Sequence, residues 1–145
     1  MNGSTLYEQD FYAWTQRQAQ LLREGKLSEV DIDHLIEEVE SMGASERNQL
    51  QSRLKILLAH LLKWQYQSHL RSRSWSATIK EQRLSLLDLL EENPSLNSLV
   101  SQRIAKAYPL AVLLAVKETN LEETTFPAEC PYSREQIFDK DYYPD

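Results

Sequence analysis

The chain has 145 residues, of which 41% are hydrophobic and 26% charged, and it carries a formal net charge of −6. A chain of that length buries roughly 68–70% of its unfolded surface, enough for one core, and this composition excludes intrinsic disorder. No apolar run approaches the roughly 20 residues of a membrane helix, no basic-then-apolar leader opens the chain, and the lone Cys130 has no partner for an internal disulfide.

One cytoplasmic domain over residues 1–145 is therefore expected, with residues 1–6 flexible. Glycines are few and no stretch alternates as a half-buried strand does, so the elements should be long helices. The expected class is all-α: a compact single-domain bundle of about five main helices and an ordered, proline- and aromatic-rich C-terminal arm. The first helix should run from an N-cap at Asp10 through Phe11, Trp14, Leu21 and Leu22 to Gly25. The second opens near Ser28 or Asp31, places Ile32, Leu35, Ile36, Val39 and Met42 on one apolar stripe, and ends at Gly43. A third starts near Ser45 and presents Leu50, Leu54, Leu57, Leu58, Leu61 and Leu62 at core spacing as far as about Tyr66.

Residues 67–73 read as a connection, after which Ser74 can cap a helix carrying Trp75, Ile79, Leu86, Leu87 and Leu90. Asn93 and Pro94 suit the start of a fifth helix that continues from Leu96 to about Thr119, with a kink at Pro109. The tail holds Pro127, Pro131 and Pro144, and Ser133 with Gln136 predicts a capping box on one short helix.

Charge is segregated along the chain. Residues 1–46 hold ten acids and three bases, residues 47–83 hold eight bases and the single acid Glu81, and residues 84–145 hold eleven acids and five bases. The stretch AHLLKWQYQSHLRSRSW, residues 59–75, lies in the basic block. Lys63, Arg71, Arg73 and Trp75 form a candidate partner surface for another protein, since arginine and tryptophan favour interface centres. As an alternative, Lys63, Arg71 and Arg73 could contact the phosphates of a nucleic acid. Acids of the chain itself compete with both, so Arg71 and Arg73 are expected near acids of the first or last third, with Trp64 and Trp75 mostly buried.

Several polar residues fall on or beside apolar stripes. Gln82 and Arg83 sit between Ile79 and Leu86, and Glu118 shares a face with Ile104, Tyr108, Ala111 and Ala115. Glu38 lies at the margin of its stripe one turn after His34, while Arg53, His60 and Trp64 line the margin of the next. A buried arginine calls for an acid, so Arg83 is expected to meet Glu118 or an acid of the second helix. The favoured reading joins Glu38, Arg53, His60, Gln82, Arg83 and Glu118 in an internal polar network that fixes helix register. Its rival makes Glu38, His60 and Glu118 a metal-dependent or acid–base enzyme site. Neither Glu-x-x-His nor His-Glu-x-x-His occurs, no glycine-rich phosphate loop or nucleophile elbow is present, and no base adjoins Cys130 to activate its thiol. No metal or other cofactor is expected.

The ordered words DFYAW, LIEEVESMG, LLAHLLKWQYQ, SRSW, IKEQR, LLEENPSL, AY, ETNL, FPAECPY and YYPD closely resemble the bacterial family catalogued as domain of unknown function 29. The resemblance covers residues 7–145. It implies a compact all-helical fold and assigns no activity, catalytic residue or cofactor. Function is thus unknown from sequence; a small helical interaction module that binds a protein is favoured over the enzyme and nucleic-acid alternatives, with no membrane partner and the oligomeric state open.

Overall fold

The computed structural model describes residues 5–145; residues 1–4, on which most of the expected flexible segment falls, lie outside them. The described residues contain six α-helices and no strand, as an all-α chain should: α1 (Leu6–Gln9), α2 (Phe11–Arg23), α3 (Ile32–Tyr66), α4 (Arg73–Glu92), α5 (Val100–Thr119) and α6 (Arg134–Phe138). Thr5 and Leu6 already belong to the start of α1. By contacts the chain divides into two compact units, Met1–Ala44 and Ser45–Asp145.

In the N-terminal unit, Asp10 caps α2 by accepting a hydrogen bond from the Ala13 amide at 3.0 Å. The helix ends in a Schellman turn: the Lys26 amide donates to the Leu21 carbonyl and the Gly25 amide to that of Leu22. Gly25 has φ 70°, a conformation that glycine adopts without a Cβ clash. Asp31 caps α3 through its carboxylate, which accepts from the His34 amide, and through its carbonyl, which accepts from the Leu35 amide.

Gly43 does not end a helix. The expected second and third helices are one 35-residue element, Ile32–Tyr66. A glycine inside a helix costs roughly 1 kcal/mol relative to alanine, too little to outweigh the helix formers around it, and no proline follows to force a stop.

The C-terminal unit packs α3 from Leu50 onward, α4, α5 and the arm around one hydrophobic core. Leu50, Leu54, Leu57, Leu58, Leu61 and Leu62 are fully buried, as their spacing predicts. Ser72, not Ser74, caps α4 by accepting from the Trp75 amide at 3.2 Å. Pro94 opens a 3-10 turn, Pro94–Leu99, ahead of α5, and α5 runs unbroken through Pro109. Pro109 and Ala105 both lie on the exposed face, where water can take the carbonyl bond that proline cannot supply. The segment Pro94–Thr119 is long and apolar enough by composition to cross a membrane; here Val100, Ile104, Ala107, Ala111 and Ala115 of that segment are buried in the core. In the arm Ser133 and Gln136 form the capping box of α6, and Ile137 is fully buried.

Candidate functional site

In the basic block Lys63 and Arg83 are buried and Arg53 and Lys55 half-buried, whereas Arg47, Arg71, Arg73 and Lys80 are exposed. Arg83 is only 2% exposed. Its Nε donates to the Ile137 carbonyl at 2.8 Å and its Nη2 to the Gln136 carbonyl at 3.1 Å. These carbonyls belong to the last turn of α6, where no further helical amide can reach them, so the guanidinium acts as the cap of that short helix. Its carbon lies 5.6 Å from the centre of the Tyr143 ring. Burial pulls the Arg83 pKa down, with nearby groups of the arm, Tyr143 and Asp139 first, opposing that shift. The expected pairing with Glu118 or an acid of the second helix is therefore corrected: carbonyl oxygens and a ring face take the acid's place.

Glu118 instead accepts from Lys63 Nζ at 2.7 Å, and Lys63 is 5% exposed. Lys63 also lies 4.7 Å from the centre of the half-buried Trp75 ring. Arg71 donates to the Trp64 carbonyl at 2.8 Å and to the Pro144 carbonyl at 3.2 Å, with its guanidinium carbon 5.1 Å from the Trp64 ring centre. Carbonyls rather than acids thus receive Arg71 as well. Arg73 is exposed and forms no ion pair among the described residues. A surface using Lys63, Arg71 and Arg73 together is not available, because Lys63 is buried in its ion pair.

The expected polar network is divided among separate bonds, of which the one from Arg53 on α3 to Gln82 on α4 joins two of its members. Arg53 joins Gln82 at 3.2 Å and Gln49 at 3.1 Å, and it borders a polar depression with Glu46, Asp88 and Glu92. His60 Nδ1 bonds the Ile56 carbonyl of its own helix at 2.9 Å, and burial lowers its pKa. Glu38 belongs to the N-terminal unit, where it accepts from the Tyr7 hydroxyl. Among the described residues no group of three or more His, Cys, Asp or Glu side chains could hold a metal ion, so the metal reading of Glu38, His60 and Glu118 has no cluster to stand on.

The N-terminal unit holds a cluster that spacing alone did not reveal. Tyr7 stacks on His34 with ring centres 3.9 Å apart and meets Trp14 edge-on at 4.8 Å. His34 Nδ1 lies 2.7 Å from Asp31 Oδ2, and Trp14 Nε1 donates to the same oxygen at 3.0 Å. The Asp31 amide donates to Gln18 Oε1 at 2.7 Å. The hydrogen bond to Asp31 raises the His34 pKa; burial alone would raise that of Asp31, but the bonds from His34 and Trp14 hold it below the usual carboxylate range. Donation to Glu38 pushes Tyr7 up to about 12. These polar groups satisfy one another, and their effect is to clamp α1 and α2 against one side of residues 31–38.

The other side of that helical segment is left open. Ile32, Ile36, Val39 and Met42 are 54%, 51%, 59% and 65% exposed. Ile32, Leu35, Ile36, Val39 and Glu40 line a shallow depression of about 250 Å³. The stripe that its spacing marks as a core face is thus surface. A turn of about 100° per residue puts Asp33 and Glu40 along one border of the stripe and Asp31 and Glu38 along the other.

The fold and this surface together define an all-helical protein with an uncovered, acid-bordered apolar helix face. The chain belongs to the family described as Domain of unknown function DUF29, whose sequence profile matches residues 6–143. No curated protein and no solved structure matches it.

Proposed function

We propose that this protein is a helical interaction module, and that its docking face is the stripe Ile32, Leu35, Ile36, Val39 and Met42 on α3. The observation that carries this reading is the mismatch between pattern and burial. Five apolar side chains at three- and four-residue spacing normally seat against a neighbour, yet four of these are more than half exposed. Their 3-4-3 spacing from Ile32 through Leu35 and Val39 to Met42 is that of a seam between paired helices. The partner surface thereby moves from the basic block to the acidic N-terminal unit. The nucleic-acid alternative loses support with Lys63, and the metal-dependent alternative because, among the described residues, no three or more His, Cys, Asp or Glu side chains are grouped to hold a metal ion.

A photo-crosslinking residue placed at Ile36 in cells tests the reading when the captured protein is then purified and titrated. That protein is expected to bind the full chain and to lose at least about tenfold in affinity to a Val39→Asp variant, because a charge desolvated in an apolar seam is costly. Unchanged affinity for Val39→Asp counts against the stripe as the docking face.

A further inference from the structure

We infer that the stripe on α3 takes a basic amphipathic helix of another protein, one whose apolar face is bordered by lysine or arginine; this rests on the docking face proposed above. Charge decides among the possible occupants. Both borders of the stripe are acidic, Asp33 and Glu40 on one side and Asp31 and Glu38 on the other, and residues 1–44 as a whole carry nine acids against three bases. A second copy of this chain, docked stripe to stripe in either direction, sets acidic border against acidic border. An anionic membrane surface and a nucleic acid backbone meet the same repulsion. A helix with cationic borders is drawn to the face, and its apolar side chains find Ile32, Ile36, Val39 and Met42 already uncovered.

The two borders differ in how free their charges are. Asp31 and Glu38 are engaged with His34, Trp14 and Tyr7, whereas the exposed side chains of Asp33 and Glu40 form no hydrogen bond or ion pair among the described residues. Cationic side chains of the partner are therefore placed mainly along Asp33 and Glu40, and selectivity for basic partners is assigned to those two acids.

Two labelled helical peptides with the same leucine face, one bordered by lysines and one by glutamates, are titrated against the full chain at low and high salt, with sedimentation of the chain alone in parallel. The lysine peptide is expected to bind about tenfold tighter at low salt, with the advantage shrinking at high salt. An Asp33→Asn, Glu40→Gln double variant should lose most of that advantage while still binding the lysine peptide through the stripe. An Ile36→Glu variant, checked for helicity, should bind neither. Equal binding of the two peptides overturns the basic-partner inference and leaves the docking face standing. Concentration-dependent dimerisation lost on Ile36→Glu overturns it in favour of a second copy. A monomeric chain that binds neither peptide overturns both the inference and the docking face.

Discussion

Trp14→Ala is expected to release α1 and α2 from the start of α3, at a cost of about 3–5 kcal/mol to the N-terminal unit, as large aromatic truncations in cores do. Trp14 is 3% exposed, touches the rings of Tyr7, Phe11 and His34, and donates to Asp31. Its removal takes the aromatic packing and an Asp31 bond together. Contacts are dense within each unit, so the loss should be local. In NMR spectra the ring-current shifts of Tyr7 and His34 should collapse while the signals of the Leu50–Leu62 core persist. An unperturbed N-terminal unit in Trp14→Ala would show that the cluster is decoration.

Arg83→Met should lower unfolding free energy by roughly 2–3 kcal/mol. Two opposing effects set this figure. Charge-assisted bonds to the Gln136 and Ile137 carbonyls contribute about 1.5–3 kcal/mol each, and their loss strands the end of α6. Against that, methionine spares the cost of desolvating a guanidinium that has no ion-pair partner among the described residues and whose Nη1 is buried without a hydrogen bond there. Arg83→Lys should recover little, because a single ammonium cannot reproduce the two-pronged geometry. Urea unfolding gives the magnitude, and faster proteolytic trimming of residues 121–145 identifies the arm as what comes loose. A loss below about 0.5 kcal/mol would contradict the capping role.

The helices were legible because their causes are local. Asp10 with Gly25, the leucines between 50 and 62, and the Ser133–Gln136 capping box each specify structure over a few residues. Gly43 misled because a helix breaker is weighed against its surroundings, and here Ala44, Glu46 and Arg47 continue the helix. That bases of the block such as Lys63, Arg71 and Arg83 find partners within the chain was legible as a charge imbalance, but most of their acceptors were not. Backbone carbonyls carry no signature in sequence, so Arg83 and Arg71 pointed to acids when their partners are carbonyls of α6, Pro144 and Trp64. The Tyr7–His34–Asp31–Glu38 contacts were beyond reach for a different reason. Tyr7 and Glu38 are 31 positions apart, and only the fold of α1 and α2 back onto α3 joins them. DFYAW and LIEEVESMG marked the two sides of that meeting without stating that they meet.

The stripe itself was read correctly as apolar and periodic, but periodicity cannot distinguish a face buried in its own core from one awaiting a partner. The burial of Leu50 beside the exposure of Met42, two turns earlier on the same helix, is what separates them.

Denaturant unfolding of an Ile36→Gln, Val39→Gln double variant tests that distinction most directly. If the stripe is free surface in the isolated protein, the double variant should unfold within about 0.5–1 kcal/mol of the parent and with an unchanged slope. A loss of about 3 kcal/mol or more, the cost of two side chains taken from a packed core, would place the stripe in the interior and contradict the docking face.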